Sequence, residues 1–295
     1  MLNTCYLGDV RDGLRAMIAA GVKAQCCITS PPYWGLRDYG VPGQIGSEKT
    51  PEEFIQTMGE IFDLVFEVLA DDGVLWLNLG DSYSEKKSLV GIPWRVAFAL
   101  QARGWILRQD IIWSKPNPMP ESVKDRCTRA HEYIFMLTKN RRYYYDADAI
   151  KEPATYGIID RLMRARIGNK SNPDEKRNGM RVRSPAALPV GEDGSTLNHN
   201  AMETKPEFRN KRSVWTVTLQ PYSEAHFATF PEGLIEPMVL ATSRPGDVVL
   251  DPFMGSGTVA KVAQRFGRQW TGCELNPEYM AFQANRTRET GFAFV

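Results

Sequence analysis

The sequence has few of the residues from which metal centres and disulfide frameworks are built. Its 295 residues include only three histidines and five cysteines. The cysteines are odd in number and contain no CxxC pair, so they predict neither a zinc site nor a set of disulfides. We therefore expect a protein without a bound metal, from a compartment that keeps thiols reduced.

Long apolar runs are also absent from the sequence. No stretch approaches the roughly 20 residues that a membrane-spanning helix needs, and Met1–Cys5 has neither the basic start nor the apolar core of a signal peptide. The proportions of hydrophobic residues, 43%, and charged residues, 24%, are those of an ordinary water-soluble protein. We expect a cytoplasmic chain that folds as one large domain, alone or with an insertion.

Helical and strand patterns alternate along most of the chain. Thr50 is a good N-cap and Pro51 a good first residue for a helix that the apolar spacing continues to about Leu69. Asp72-Gly73 predicts a turn into the apolar run Val74–Leu79, which is typical of a strand covered on both faces. The alternation predicts an α/β fold with a mostly parallel sheet and helices on both faces.

The net charge of +1 is unevenly distributed. Residues 151–213 contain thirteen Lys and Arg against eight Asp and Glu, whereas the rest of the chain is mildly acidic. The same segment has no sustained periodicity and interrupts the alternation of helices and strands. We expect residues 1–150 and 214–295 to form the two halves of one domain. Residues 151–213 would be an inserted basic segment that suits an anionic polymer, with a solvated charged loop as the alternative.

A proline-braced loop follows one of the predicted buried strands. Thr29-Ser30-Pro31-Pro32-Tyr33-Trp34-Gly35 comes directly after the apolar run Cys26-Cys27-Ile28. Successive prolines have no N–H to donate to a sheet, so the chain leaves the strand as a stiff, extended loop. The Ser30 hydroxyl and the loop carbonyl groups are acceptors beside two aromatic side chains. This combination predicts a pocket for a planar ring that carries an amino group.

A second loop, Asp251-Pro252-Phe253-Met254-Gly255-Ser256-Gly257-Thr258, lies between a predicted strand and a predicted helix. Its glycines allow a tight turn and a close approach of backbone to ligand, at the edge where open α/β sheets bind their cofactors. Glu274, at the end of the next predicted strand, can accept hydrogen bonds from both hydroxyls of a ribose. This second loop and Glu274 together predict an adenosine-binding βαβ unit.

The same glycines also fit a dinucleotide fingerprint, G-x-G-x-x-A, which ends at Ala260. A nicotinamide-dependent oxidoreductase is therefore an alternative interpretation. The Asp251 carboxylate disfavours it, because a negative charge repels a pyrophosphate and suits a cationic ligand. S-adenosylmethionine carries a sulfonium, an ammonium and a ribose, so it satisfies both Asp251 and Glu274.

In this order, the two loops resemble the catalytic and cofactor motifs of amino-group DNA methyltransferases of the β subclass. In that subclass the catalytic half precedes the cofactor half and a target-recognition region lies between them. The resemblance implies a Rossmann-like methyltransferase fold with a circularly permuted motif order and with S-adenosylmethionine as the cofactor. It covers nearly the whole chain outside residues 151–213.

The resemblance also assigns roles to individual residues. Asp9 matches the position that contacts adenine, Glu274 the position that binds the ribose, and Thr229 lies in a motif that contacts the methionine end of the cofactor. The implied catalytic residues are Ser30, Pro31, Pro32 and Tyr33. The implied cofactor-binding residues are Asp9, Thr229, Asp251, Phe253, Gly255, Ser256, Gly257, Thr258, Glu274 and Asn276.

The reaction that this family performs follows from the same resemblance. The Ser30 hydroxyl and the Pro31 carbonyl would accept hydrogen bonds from the amino group of a flipped-out base, with Tyr33 stacked on its ring. The inserted segment would contact the phosphates of double-stranded DNA at a specific short site. No Pro-Cys dipeptide of the kind that C5-cytosine enzymes use as a nucleophile occurs in the sequence.

Serine at position 30 is typical of N4-cytosine enzymes, whereas Asp or Asn is typical of N6-adenine enzymes. We therefore expect methylation of cytosine N4, with adenine N6 as the first alternative. A DNA-binding module without catalysis is a further alternative, which the intact Ser30–Tyr33 loop argues against. The sequence leaves open the recognition site, the presence of a homodimer and the presence of a cognate restriction endonuclease.

Overall fold

The structure is a computed structural model that describes residues 1–36, 40–154, 208–219 and 230–288. The chain divides into two compact units, one made of residues 1–150 with 212–295 and the other of residues 151–211. In the described ranges, no helix has the length and hydropathy of a membrane span.

Ten strands occur in the described part of the chain. They are β1 (Thr4–Leu7), β2 (Ala24–Thr29), β3 (Leu69–Leu79), β4 (Ile106–Ser114), β5 (His131–Thr138), β6 (Glu152–Pro153), β7 (Phe208–Arg209), β8 (Val214–Thr216), β9 (Val248–Asp251) and β10 (Gln269–Glu274). In the smaller unit, β6 and β7 form an antiparallel ribbon in which Arg209 Nε donates to Glu152 Oε1 at 2.9 Å. The remaining eight strands form the sheet of the larger unit.

That sheet has the spatial order β1-β10-β9-β2-β3-β5-β4-β8. Only β5 runs against its neighbours, β3 and β4, whereas the other neighbouring pairs are parallel. The predicted mostly parallel sheet is therefore confirmed. Because β5 is reversed, its amino end lies at the same edge of the sheet as the carboxyl ends of the parallel strands.

Six α-helices accompany the sheet in the described ranges. They are α1 (Val10–Ala19), α2 (Pro51–Val68), α3 (Ile92–Ala102), α4 (Glu232–Thr242), α5 (Thr258–Arg265) and α6 (Glu278–Arg288). Helix α2 begins as predicted, since the Thr50 side chain accepts a hydrogen bond from the Glu53 N–H at 3.2 Å. This cap satisfies one of the N–H groups that a helix start leaves without an intrahelical partner.

The two faces of the sheet bury separate cores, and β3 shows how one strand serves both. Leu75 and Leu77 pack with residues of α1, α2 and α3, whereas Val74 and Trp76 pack with residues of α4 and α5. Successive side chains of a strand point to opposite faces, so a continuous apolar run covers both cores. The expected helices on both faces are confirmed.

The start of β3 differs from the sequence prediction. Asp72-Gly73 does not form a turn that precedes the strand; the strand begins at Leu69, which is fully buried and pairs with Ala24. The pairing shifts register before Val74 meets Cys26, so the intervening residues of β3 bulge out of the ladder. Burial of Leu69 in the core outweighs the local turn preference of Asp72 and Gly73.

Candidate active site at the carboxyl edge of the sheet

A cleft of about 610 Å³ opens at the carboxyl edge of the sheet. It is lined by residues of both predicted loops, from Ser30 to Tyr33 and from Asp251 to Ser256, together with Asp9 and Glu274. Its volume is typical of sites that bind small molecules and cofactors. The fold therefore brings two motifs from opposite ends of the sequence to one site.

One hydrogen bond joins the two motifs directly. Strands β2 and β9 are parallel neighbours, so Thr29 at the end of one lies beside Asp251 at the end of the other. The Thr29 hydroxyl donates to Asp251 Oδ1 at 2.7 Å, and the Phe253 N–H donates to the same oxygen at 3.0 Å. The proline-braced loop and the glycine-containing loop are thus fixed relative to each other.

Asp251 is a buried carboxylate on the floor of the cleft. Its residue surface is only 4% exposed, and burial raises its pKa from 3.8 to about 7. Thr29 and Phe253 both donate to Oδ1, and among the described residues no donor reaches Oδ2. A cationic group in the cleft would favour the ionised carboxylate.

Two further acids line the same half of the cleft. Burial raises the pKa of Glu274, whose two oxygens accept the N–H groups of Gly255 at 2.7 Å and Asn276 at 2.8 Å. The Arg11 guanidinium lowers the pKa of Asp9, which caps α1 by accepting the Arg11 N–H at 2.8 Å. Both carboxylates retain acceptor capacity, because each oxygen has two lone pairs.

The remaining predicted cofactor residues are distributed unevenly around the cleft. Phe253, Ser256, Thr258 and Asn276 line it. The Thr258 hydroxyl is engaged by the Arg286 guanidinium, and Asn276 Oδ1 accepts the Glu278 N–H at 3.0 Å at the start of α6. The side chains of Thr258 and Asn276 are therefore already engaged within the protein.

One predicted position does not line the cleft, and another falls outside the described residues. Gly257 has a φ of +83° and packs against α6, where an added Cβ would lie 3.2 Å from the Gln283 Cα. Glycine is required there by backbone conformation and helix packing. Thr229 lies outside the described residues.

The part of the cleft that is lined by Ser30–Tyr33 contains a cluster of polar side chains. Ser30 Oγ and the Tyr33 hydroxyl lie 3.3 Å apart, and Tyr33 donates to Glu132 Oε2 at 2.7 Å. Asn78 Nδ2 lies 3.2 Å from Ser30 Oγ, 2.6 Å from the Tyr33 hydroxyl and 2.8 Å from Glu132 Oε2. Lys115 completes the cluster as the ion-pair partner of Glu132.

The position of Tyr33 is set by close packing. A Cβ added at Gly80 would lie 2.5 Å from Tyr33 Cε2, so the ring occupies the space that any larger residue would need. Trp34 braces the loop instead of lining the cleft, since its Nε1 donates to the Glu48 carbonyl at 2.9 Å. Pro31 and Pro32 both line the cleft.

Asn78, Glu132 and Lys115 were not predicted as site residues. Asn78 had a usable signal, because it is the one polar residue in the apolar run Val74–Leu79. Lys115 and Glu132 meet through the antiparallel register of β4 and β5, in which Trp113 pairs with Glu132. Their separation in sequence carries no pattern that indicates this contact.

Comparison with known proteins gives relatives over nearly the whole chain. A family model described as DNA methylase, of the N6 and N4 type, matches residues 24–286. The chain is 42% identical to the Type II methyltransferase M.Cfr9I of Citrobacter freundii, over 96% of this chain and 87% of that protein. It is 39% identical to the Type II methyltransferase M.SmaI of Serratia marcescens, over 97% and 91%.

Two solved structures share the fold at low sequence identity. The PvuII DNA methyltransferase, described as cytosine-N4-specific, aligns with a TM-score of 0.66 at 18% identity, over 99% of this chain and 89% of that one. A DNA modification methylase of Thermus thermophilus, solved with S-adenosylmethionine, aligns with a TM-score of 0.59 at 24% identity, over 98% and 96%. These likenesses confirm the expected Rossmann-like architecture.

Proposed function

Because the chain belongs to the N6 and N4 family of DNA methylases, we propose that it methylates the exocyclic N4 of a flipped-out cytosine in double-stranded DNA. The methyl donor is S-adenosylmethionine. The observation that carries this proposal is the Thr29–Asp251 hydrogen bond, which places the acceptor-bearing loop beside the acidic, glycine-containing loop in one cleft. A base held by one loop and a methyl donor held by the other would then lie in the same cleft.

The acidic half of the cleft fits the proposed cofactor. Asp251 is a buried carboxylate whose pKa is raised by burial and whose Oδ2 has no donor among the described residues, so it suits a positive charge. Glu274 would accept the ribose hydroxyls with the lone pairs that the backbone N–H groups leave, and Asp9 would accept the adenine amino group. When bound, S-adenosylmethionine supplies a methyl group on a positively charged sulfur.

The catalytic half supplies acceptors for an amino group. The lone pair of an exocyclic amino nitrogen is delocalised into the ring, and hydrogen bonds from its N–H groups to the Ser30 hydroxyl and the Pro31 carbonyl would localise it. Tyr33 would hold the ring by stacking, with its hydroxyl fixed by Glu132 at 2.7 Å. Preorganised acceptors and alignment of the reacting atoms would provide most of the rate.

Cytosine is preferred to adenine because serine occupies position 30. The solved PvuII enzyme is described as cytosine-N4-specific, in accord with this preference, although at 18% identity the likeness concerns the fold. The DNA-binding role of residues 151–213 rests on their excess of basic residues, and residues 155–207 of that segment lie outside the described ranges. The remaining residues of the segment include the ribbon β6–β7.

The test is transfer of a labelled methyl group to DNA, followed by mass spectrometry of the nucleosides. N4-methylcytosine is the expected product. Recovery of N6-methyladenine alone would overturn the choice of base. DNA that acquires no label would overturn the proposed activity. The Asp251→Ala variant is the negative control, since it should not bind the methyl donor.

M.Cfr9I and M.SmaI are Type II methyltransferases, and we extend this class to the chain, with a cognate restriction endonuclease as its partner. Sequencing the DNA of a host that expresses the protein, with detection of modified bases, would give the recognition site. Modification at one short sequence is expected. Modification without sequence preference would contradict the assignment.

A further inference from the structure

We propose that Glu132 is a positioning residue that fixes the direction in which the Ser30 hydroxyl donates its proton. Ser30 then offers a lone pair to the target amino group. A hydroxyl can donate or accept, and an amino group with an acceptor on each N–H is a better nucleophile than one that receives a proton. The proposal rests on the proposed function, because it concerns how the same site treats an amino nitrogen. The observation that supports it is the cluster of polar side chains formed by Ser30, Tyr33, Asn78, Glu132 and Lys115.

The hydrogen bonds between Ser30, Tyr33 and Glu132 take their direction from the carboxylate. An ionised carboxylate accepts and cannot donate, so Tyr33 must give its proton to Glu132 Oε2, 2.7 Å away. The Tyr33 oxygen is then an acceptor for the Ser30 hydroxyl at 3.3 Å. Asn78 Nδ2 has two N–H groups and three oxygens within reach, and the two nearest are the Tyr33 oxygen at 2.6 Å and Glu132 Oε2 at 2.8 Å. Ser30 Oγ is farther away, at 3.2 Å, so its lone pairs are left for the base.

Glu132 has a cation as its direct neighbour in the cluster. Its side chain and that of Lys115 are each 14% exposed, and the two form an ion pair. The Lys115 ammonium also lies 4.3 Å from the centre of the Trp113 ring, which gives it a second favourable contact. Lys115 donates to Glu132 Oε1 and Tyr33 donates to Oε2, so both carboxylate oxygens have the acceptor role on which the chain of hydrogen bonds depends.

A neutral amide at position 132 would no longer fix the direction of the hydrogen bonds of Tyr33 and Ser30. The NH₂ group of glutamine can donate to the Tyr33 oxygen, which frees the Tyr33 proton to point at Ser30. Ser30 would then turn its own proton toward the cleft and meet the target amino group with a donor. Glu132→Gln keeps the size of the side chain, so its effect reports on the direction of the hydrogen bonds and not on side-chain volume.

The experiment compares Glu132→Gln, Tyr33→Phe and the double variant with the wild-type protein. Glu132→Gln should lower kcat about 10-fold to 100-fold with unchanged KM for DNA and an unchanged Kd for S-adenosylmethionine. In the Tyr33→Phe background it should cause little further loss, because Glu132 acts through Tyr33. Glu132→Asp should recover part of the rate.

Glu232→Gln is the matched control, because Glu232 pairs with Lys261 at 3.1 Å and both side chains are partly buried away from the cleft. It should leave kcat unchanged. If the wild-type protein and this control do not methylate DNA, the proposed function fails. If they do and Glu132→Gln keeps the wild-type kcat, or loses the same factor in both backgrounds, the role of Glu132 is wrong.

A readout that needs no turnover completes the test. Proton NMR of the wild-type protein should show a slowly exchanging hydroxyl proton of Tyr33, identified by its absence in Tyr33→Phe. The same signal should be lost or shifted upfield in Glu132→Gln. An identical signal in the wild-type and Glu132→Gln proteins would overturn the proposal regardless of activity.

Discussion

Replacement of Asp251 by asparagine is expected to stabilise the unliganded protein and to weaken cofactor binding. Burial raises the pKa of Asp251 from 3.8 to about 7, so folding favours its protonated form. The stability that this protonation contributes is complete below about pH 4 and is lost as the pH rises to 7. Over about three pH units, at 1.4 kcal/mol each, the ionised carboxylate costs the native state about 4 kcal/mol at pH 8.

Asparagine at position 251 avoids this cost. Its Oδ1 can still accept from the Thr29 hydroxyl and the Phe253 N–H, which both contact Asp251 Oδ1. The free energy of unfolding should therefore be higher than that of the wild type at pH 8, by up to about 4 kcal/mol, and the difference should shrink toward pH 4. Denaturant titrations across this range would measure it, with Asp63→Asn, in an exposed ion pair with Arg103, as the control that gains nothing.

The affinity of the wild-type protein for the cofactor should rise with pH, whereas its stability falls. A cationic ligand requires ionised Asp251, and the pKa of Asp251 in the unliganded protein is about 7. S-adenosylmethionine should therefore bind about tenfold more weakly at pH 6 than at pH 8. Calorimetry in buffers of different ionisation enthalpy should find nearly one proton released per cofactor at pH 6. A pH-independent affinity of the wild type, or an Asp251→Asn variant that is less stable at pH 8, would refute the reasoning.

Four other substitutions separate cofactor binding, catalysis and stability. Ser30→Ala should lower turnover about 10²-fold and spare the Kd for S-adenosylmethionine measured by calorimetry; full activity would exclude a role for the hydroxyl. Glu274→Gln should weaken that Kd at least tenfold, because an amide NH₂ would face a backbone N–H that now donates to the carboxylate. Gly80→Ala should lower kcat and leave the cofactor Kd unchanged, since its Cβ would displace the Tyr33 ring; wild-type kcat would show that the ring position is not critical. Thr50→Ala should cost about 1 kcal/mol in denaturant titrations through loss of the α2 cap without a change in methylation.

The parts of the fold that depend on local chemistry were predictable from the sequence. The capped start of α2 and the apolar run of β3 follow from residue types at fixed spacing, and both occur in the structure. The two loops of the site were also recognisable, because prolines end a strand and glycines shape a turn wherever they occur. Their meeting was implied by the family resemblance and is seen in the Thr29–Asp251 hydrogen bond.

The parts that depend on long-range register were not predictable. Glu132 reaches Tyr33 only because β5 is reversed and lies between β3 and β4. A shift of one residue in either pairing would send its side chain to the other face of the sheet. The early start of β3 has a similar cause, since pairing of Leu69 with Ala24 overrides a local turn signal.

The short ribbon of the smaller unit bears on how such proteins acquire new specificities. Glu152–Pro153 and Phe208–Arg209 pair at the two ends of a long stretch of chain, and the Glu152–Arg209 ion pair reinforces the junction. With its ends already joined, the intervening sequence can lengthen, shorten or be exchanged at a loop-closure cost that grows only logarithmically with length. Under the proposed role of residues 151–213 in DNA binding, recombination at this junction would exchange the recognition segment of one protein for that of another in a single event.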